Sequence, residues 1–256
     1  MLRRLDLNSD MGERDSPEGL ALDAALMPLV TSVSLACGGH AGSPDLIRRT
    51  AVIAQKHSVA VGAHPGLPDP QTFGRAERPL AAAEVRDLIT EQVMTCRCVL
   101  QSQGLILRHV KPHGALYNIA ARDEGVAKAI VAAVQAIDAS LLLYALAGSV
   151  LARVGETAGL SVVHEGFADR AYRTDGRLVP RGEAGAVITR EDRVREQLRR
   201  LIAGTVMTVE QKVIPVCIHS LCLHSDTPQT LVLARLIREE LERNGIEVLA
   251  ARHADC

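Results

Sequence analysis

Carboxylates, imidazoles and a lysine recur in this chain at the ends of short apolar runs, each time beside glycine or proline. The first case is Leu5-Asp6-Leu7-Asn8-Ser9-Asp10, followed by Met11-Gly12-Glu13. Side chains alternate across an extended strand, so Asp6 and Asn8 share one face with Asp10 following, while Leu5 and Leu7 take the other. If the polar face is a barrel interior, an unpartnered carboxylate there costs roughly several kcal/mol, which a core has no reason to bear unless the group binds something. Four further segments end a strand-like run in His or Lys: Ala36-Cys37-Gly38-Gly39-His40-Ala41-Gly42, Val61-Gly62-Ala63-His64-Pro65-Gly66, His109-Val110-Lys111-Pro112-His113-Gly114 and Cys222-Leu223-His224-Ser225-Asp226. Glycine permits tight turns and close approach of a ligand to the backbone. Histidine titrates near neutral pH and ligates metals. Lysine can balance carboxylates or hold a phosphate or a substrate carboxylate.

Together these groups mark one candidate site, with Asp6, Asp10, Glu13, His40, His64, Lys111 and His113 as its chemistry-bearing members. A divalent metal that lowers the pKa of a bound water would take Asp10, His40 and His64 as ligands. His57 and His253 lack such context and read as surface residues, while His164 and His219 are left open. A sixth segment runs Glu165-Gly166-Phe167-Ala168-Asp169-Arg170-Ala171-Tyr172 and on to Arg181. Phe167 and Tyr172 are two of only five aromatic residues, so their clustering with charges reads as a binding loop in which Arg170 or Arg181 grips a carboxylate. Asn8, Asn118, Glu165, Asp169, Arg170, Tyr172, Arg181, His224 and Asp226 are the expected substrate contacts.

The elements that would position these groups alternate along the chain. Candidate strands are Arg4–Leu7, Ser32–Ala36, Ala60–Ala63, Leu105–Val110, Leu141–Ala145, Ser161–His164, Val213–His219 and Ile246–Ala250. Between most of them apolar residues recur at helical spacing, most clearly from Ala82 to Gln103 through Val85, Ile89, Val93, Cys96 and Leu100. Ser43 is a natural N-cap with Pro44 at the first helical position, and Asn244-Gly245 is a stop signal for the last helix. Alternation of this kind implies right-handed βα units on a parallel sheet. No GxGxxG follows the first strand, and the polar residues lie at the ends of many strands, which favours a closed α/β barrel of seven or so parallel strands over an open sheet. One domain spanning 1–256 is expected, with no repeat or linker.

Composition narrows the function further. A net charge of −1 and 2% aromatic residues offer no footprint for nucleic acid or an anionic membrane. The six cysteines fit no zinc signature or disulfide scaffold and read as reduced, mostly buried apolar groups. No run reaches 18 apolar residues and no signal peptide is evident, so a cytoplasmic location is expected. The GxxxxGK[ST] loop is absent, so any nucleotide must sit on another architecture or on a partner.

Read in order, Asp6-Leu7-Asn8-x-Asp10-x-Gly12-Glu13, Ala36-Cys37-Gly38-x-His40-Ala41-Gly42, Gly62-Ala63-His64-Pro65, Val110-Lys111-Pro112-His113-Gly114-Ala115-Leu116-Tyr117-Asn118, Phe167-Ala168-Asp169-Arg170-x-Tyr172 and His224-x-Asp226-Thr227-Pro228 resemble the LamB/YcsF family, across nearly the whole chain. The Lys-Pro-His-Gly-Ala-Leu-Tyr-Asn block is the most specific of these. The resemblance implies a distorted βα barrel similar to polysaccharide deacetylases. It also implies the A subunit of a 5-oxoprolinase, which works with partner subunits B and C to open the lactam of 5-oxo-L-proline to L-glutamate with ATP hydrolysis, Mg accompanying the ATP. That reaction would need carboxylates as base for water, a role that suits Asp6, Asp10 and Glu13, and cationic donors for developing negative charge, a role that suits His40, His64, Lys111 and His113. Ser34, Ser43 and Ser225 stand where the family usually has Asn, Asp and Gly, and Gly66-Leu67 where it has a Ser-Tyr pair. Two other readings of the same residues are a metal-dependent deacetylase of N-acetyl sugars and a non-catalytic lactam carrier.

Overall fold

The first strand, β1 (Arg4–Met11), is buried over nearly its whole length, on both faces. Its odd positions, Leu5, Leu7 and Met11, join the aliphatic core, and its even positions, Asp6, Asn8 and Asp10, hydrogen-bond or pair with Tyr144, Glu165 and His64 of other strands. A strand buried on both faces belongs inside a βα architecture, with one face on helices and the other toward a barrel interior. The computed structural model, which describes residues 2–225 and 229–253, has that architecture.

The barrel wall comprises β1, β2 (Ser32–Ala36), β3 (Ala60–His64), β4 (His109–Val110), β5 (Leu142–Leu146), β6 (Val162–Phe167) and β9 (Ser220–Leu223). All neighbours are parallel, and the ring closes where β9 pairs with β1, Asp6 opposite Ser220 and Asn8 opposite Cys222. A closed ring of seven strands leaves no exposed edge among them. The helices are α1 (Pro17–Leu26), α2 (Pro44–Lys56), α3 (Ala82–Gln101), α4 (Gly114–Ala120), α5 (Glu124–Asp138), α6 (Val150–Thr157), α7 (Glu191–Ile202) and α8 (Thr230–Arg243). They bury aliphatic stripes such as Val85, Ile89, Val93, Cys96 and Leu100 of α3, at the helical spacing read from the sequence. The Ser43 hydroxyl caps α2 by accepting the Leu46 N–H at 3.2 Å with Pro44 following, so serine does there what aspartate would do. Among the described residues no helix is long and apolar enough to cross a membrane.

Three expected strands change. Val213–His219 does not enter the wall: only Val213–Pro215 is extended (β8), and it pairs antiparallel with Thr205–Met207 (β7) as a small outer ribbon. Proline lacks a donor and Val213 is exposed, which suits an edge, whereas the fully buried Ser220–Leu223 supplies the wall. Leu105–Val110 shortens to β4, although the Arg108 and Lys111 N–H groups still donate to Val61 and Ala63. The last strand shrinks to Glu247–Val248 (β10) and pairs only with Arg4–Leu5 at the start of β1, outside the ring. From there the chain passes the N-terminal mouth, where Ala251 packs on the cluster of Leu142, Tyr144 and Val163. The cysteine expectation holds for Cys37, Cys96 and Cys222, which are buried, but not for Cys98 and Cys217, which are exposed. Cys256 lies outside the described residues.

Candidate active site

Even-numbered side chains of β1 form a polar axis inside the barrel. At the N-terminal end the Asp6 carboxylate accepts hydrogen bonds from Thr31, Ser32, Ser220 and Tyr144 hydroxyls. Burial raises its pKa, and those four hydroxyls act against the rise. Asp6 is therefore a saturated structural acceptor that does not line the pocket at the other end, where a base for water was expected of it. One step further, Asn8 bridges: its Nδ2 donates to Glu165 at 2.8 Å and Ser220 at 2.7 Å, and its Oδ1 accepts from Lys111 at 3.0 Å.

Lys111 is the hub. Its Nζ lies 2.8 Å from Glu165 Oε1, 3.0 Å from Asp10 Oδ1 and 3.1 Å from Cys222 Sγ, with its side chain 3% exposed. Burial opposes its charge, but Asp10, the Cys222 sulfur and Glu165 outweigh that and hold its pKa well above the ordinary value. Asp10 is the mirror case. Burial would raise its pKa, yet His64 and Lys111 pull it well below the usual carboxylate range. Glu165 also accepts the Tyr117 hydroxyl at 2.7 Å, so it lies beneath the pocket as a partner of Lys111 and not on its surface.

Three histidines gather beside this pair. His40 stacks on His113 with ring centroids 3.6 Å apart, and His64 meets both edge-on. Glu13 Oε1 is 3.4 Å from His40 Nε2 and 3.8 Å from His113 Nδ1. Burial first, then the neighbouring imidazoles, push the His113 pKa well below its usual value, and burial lowers that of His40. Backbone closeness builds the cluster: a Cβ on Gly66 would sit 2.5 Å from His40 Nδ1, and one on Gly74, whose φ is +64°, 2.7 Å from the His40 Cβ.

A pocket opens at the C-terminal ends of the strands, lined by Asp10, Glu13, His64, Lys111, His113, Tyr117, Asn118, Phe167, His224, Arg75 and Arg181 among others. Of the expected catalytic set, Asp10, Glu13, His64, Lys111 and His113 line it, His40 stands directly behind, and Asp6 is remote. Among the expected substrate contacts, Asn118, Arg181 and His224 line it. Asn8 and Glu165 support Lys111, and Asp169 holds His224 Nδ1 at 2.9 Å. His224 in turn keeps the Asp169 pKa low against its burial. Arg170 and Tyr172 face inward instead: Arg170 donates to the Val179 and Ala186 carbonyls, and the Tyr172 hydroxyl accepts the Phe167 N–H at 2.8 Å. They shape the loop without reaching the pocket, because buried backbone groups of an irregular segment need partners. Asp226 lies outside the described residues.

A profile of the LamB/YcsF family matches residues 5–255. The chain belongs to the LamB/YcsF family. Relatives that carry the name of the 5-oxoprolinase A subunit include one from Methylococcus capsulatus, 45% identical over 98% of this chain and 96% of its own length. Another, from Pyrococcus abyssi, is 40% identical over 96% of this chain and 97% of its own. A solved structure of a lactam utilization protein from Thermus thermophilus superposes with a TM-score of 0.88 at 41% identity, covering 97% of this chain and all of that one. A putative cellobiose-phosphate cleavage protein from Enterococcus faecalis, at TM-score 0.59 and 11% identity, shares the fold over 99% of this chain and 98% of its own.

Several groups in this LamB/YcsF site carried little signal in the sequence. Arg75 reaches the pocket from a loop after β3, its guanidinium 5.0 Å from the Phe73 ring centre, and the rarity of phenylalanine was the one hint. His109 is buried inside the barrel, where the Ser34 hydroxyl meets its Nε2 at 3.0 Å. Burial drives the His109 pKa down to about 3. His164 and His219, for which the sequence left the role open, meet edge-on away from the pocket, with His164 Nε2 2.7 Å from Glu156. His57 and His253 are exposed, as expected.

Proposed function

We propose that this chain is the A subunit of an ATP-dependent 5-oxoprolinase, a single barrel domain acting in the cytoplasm with B and C subunits to open 5-oxo-L-proline, or a related small lactam, to the amino acid. The observation that carries the reading is the buried Lys111 ammonium held between Asp10 and Glu165 at the floor of a pocket that also presents Arg75, Arg181, His64 and His113. The names of the relatives, which match this chain over nearly its full length, support it.

An unstrained lactam resists water, so the reaction needs activation of its carbonyl and a base for the attacking water. Cationic donors at the pocket suit both a substrate carboxylate and the oxyanion that develops on the ring carbon. Asp10 Oδ1 stays on Lys111 while Oδ2 turns toward His64, 3.3 Å away, which places a fixed carboxylate where a water proton can be accepted. The absence of a P-loop motif favours handling of ATP and its Mg by the partner subunits.

Glutamate release from 5-oxoproline, assayed with and without ATP and with and without the B and C subunits, tests the proposal. Formation only in the complete mixture, abolished by Lys111→Ala, is the expected result. Undiminished turnover by that variant would remove Lys111 from the site. Acetate release from N-acetyl sugars without ATP would replace the reading by a deacetylase, and 5-oxoproline binding without turnover in the full complex would leave a carrier.

A further inference from the structure

Two ring nitrogens in the histidine cluster are in an arrangement that neutral imidazoles cannot satisfy. His64 Nδ1 lies 2.7 Å from the Lys111 carbonyl, and His113 Nε2 lies 2.9 Å from the Phe73 carbonyl. A carbonyl only accepts, so each of those nitrogens carries the ring proton. The remaining nitrogens, His64 Nε2 and His113 Nδ1, then both present lone pairs, and they face each other at 2.9 Å. Two lone pairs at that distance repel unless something positive sits between or beside them. Protonating His64 would serve, with Asp10 Oδ2 3.3 Å from its Nε2 as counter-ion; a metal ion between the two nitrogens would instead take up both lone pairs at once. The carboxylate of Glu13 approaches the same point, 3.8 Å from His113 Nδ1, and the ligand atoms of Glu13, His40, His64 and His113 all lie within 4.8 Å of one another.

We propose that His64 Nε2, His113 Nδ1 and Glu13 bind a first-row divalent metal ion, with a coordination position open to the pocket. The observed nitrogen separation of 2.9 Å is what two imidazoles at about 2.05 Å from one ion show at a bond angle of about 90°. Both rings already have the outer hydrogen bond to a carbonyl that fixes the tautomer of a metal-ligating histidine. His40 lies parallel to His113, within 8° and with ring centroids 3.6 Å apart, so its ring nitrogens lie in an offset plane and do not point at an ion held in the plane of His113. We assign it to the Glu13 carboxylate, 3.4 Å from its Nε2, as the group that orients this ligand. The set differs from the Asp10, His40 and His64 ligands expected from the sequence. Asp10 is engaged by Lys111, and His40 lies in a plane parallel to that of His113, away from the point where the other two nitrogens meet. Two nitrogens and one carboxylate suit Zn²⁺, Fe²⁺ or Mn²⁺ better than Mg²⁺, whose preference is for oxygen. An ion there would acidify a bound water, so that even the weakly basic Asp10 could accept its proton.

The site stands on the ring nitrogens and not on the identity of the substrate, so its test uses no turnover. The purified chain is incubated with Zn²⁺ or Mn²⁺ and desalted, and its metal is measured by mass spectrometry. Co²⁺ is then titrated into metal-free protein and followed by absorbance. One equivalent of Zn²⁺ or Mn²⁺, visible Co²⁺ bands without an intense near-ultraviolet thiolate band, and loss of at least tenfold in affinity in both His64→Gln and His113→Gln support the proposal. His224→Ala, at the other candidate group of Asp10, Cys222 and His224, is expected to bind as the wild type does. A wild-type protein that retains neither metal, a thiolate band showing Cys222 as ligand, or unchanged affinity in the two glutamine variants overturns it. The wild-type spectrum decides the matter even if a variant fails to fold.

Discussion

Replacing Lys111 by methionine removes the one cation that two buried carboxylates share. The methionine side chain fills a similar volume, so the effect is electrostatic. At 2.8 Å from Glu165 and 3.0 Å from Asp10, each pair is worth about 6 kcal/mol gross at an effective dielectric of roughly 20. Most of that is offset by the cost of taking the ammonium out of water, and breaking a buried pair by deleting one partner typically costs about 3–5 kcal/mol, because the abandoned charge stays buried. Lys111→Met is expected to lose about that much in urea denaturation. The decisive comparison is the double variant. Glu165→Gln removes one of the two charges; its single carbonyl oxygen can still accept from Asn8 Nδ2, bonded to Oε1 in the wild type, while its NH2 replaces Oε2 and the Tyr117 hydroxyl turns to accept from it. In the double variant only Asp10 is left without its cation, so stability should recover by about 1.5–3 kcal/mol relative to the additive sum of the two single changes. Additive single changes, with no coupling beyond about 0.5 kcal/mol, would refute the argument that Lys111 is held by charge and not by packing.

Two further outcomes follow from the geometry. A Cβ on Gly62 would come within 2.1–2.5 Å of three His109 ring atoms, so Gly62→Ala should destabilise the protein by about 3 kcal/mol or more, and Gly62→Ala combined with His109→Ala should be milder than their sum; equal thermal stability of Gly62→Ala and wild type would contradict the packing described. Asp23, on α1, accepts the Gly12 N–H at 2.9 Å, and burial, with a smaller push from Glu13, raises its pKa to about 6. A raised carboxyl pKa means that its contribution to stability is fully present below about pH 4 and is lost as the pH climbs through about 6, for a total near 3 kcal/mol. Asp23→Asn keeps an acceptor without the charge, so its advantage over wild type in chemical denaturation should grow from near zero at pH 4 to about 2–3 kcal/mol at pH 8. A pH-independent difference would show that Asp23 carries no such linkage.

Much of the site was legible because strand geometry links sequence spacing to a face. Asp6, Asn8 and Asp10 alternate with leucines, and in a parallel barrel that alternation can only mean a polar interior and an apolar outer wall. The Gly-His and Lys-Pro-His endings likewise marked the rim, since βα loops are where such folds place reactive groups. Depth along the axis was not legible. Spacing alone could not tell that Asp6 would be saturated by four hydroxyls from β2, β5, β9 and the turn before β2, while Asp10, four residues on, would reach the pocket. Neither could it tell Arg170, spent on loop carbonyls, from Arg181 at the rim, because both sit in one irregular segment without periodicity.

The identities of the βα units, the aliphatic helix faces and the chemistry-bearing segments were determined by the sequence alone, since they depend on local periodicity and on caps such as Ser43-Pro44. The choice of Ser220–Leu223 as the closing strand, the sharing of Lys111 between Asp10 and Glu165, and the facing lone pairs of His64 and His113 were decided only by the tertiary structure. Each joins residues far apart in the chain, and such contacts are set by how the ring closes, which no local pattern encodes.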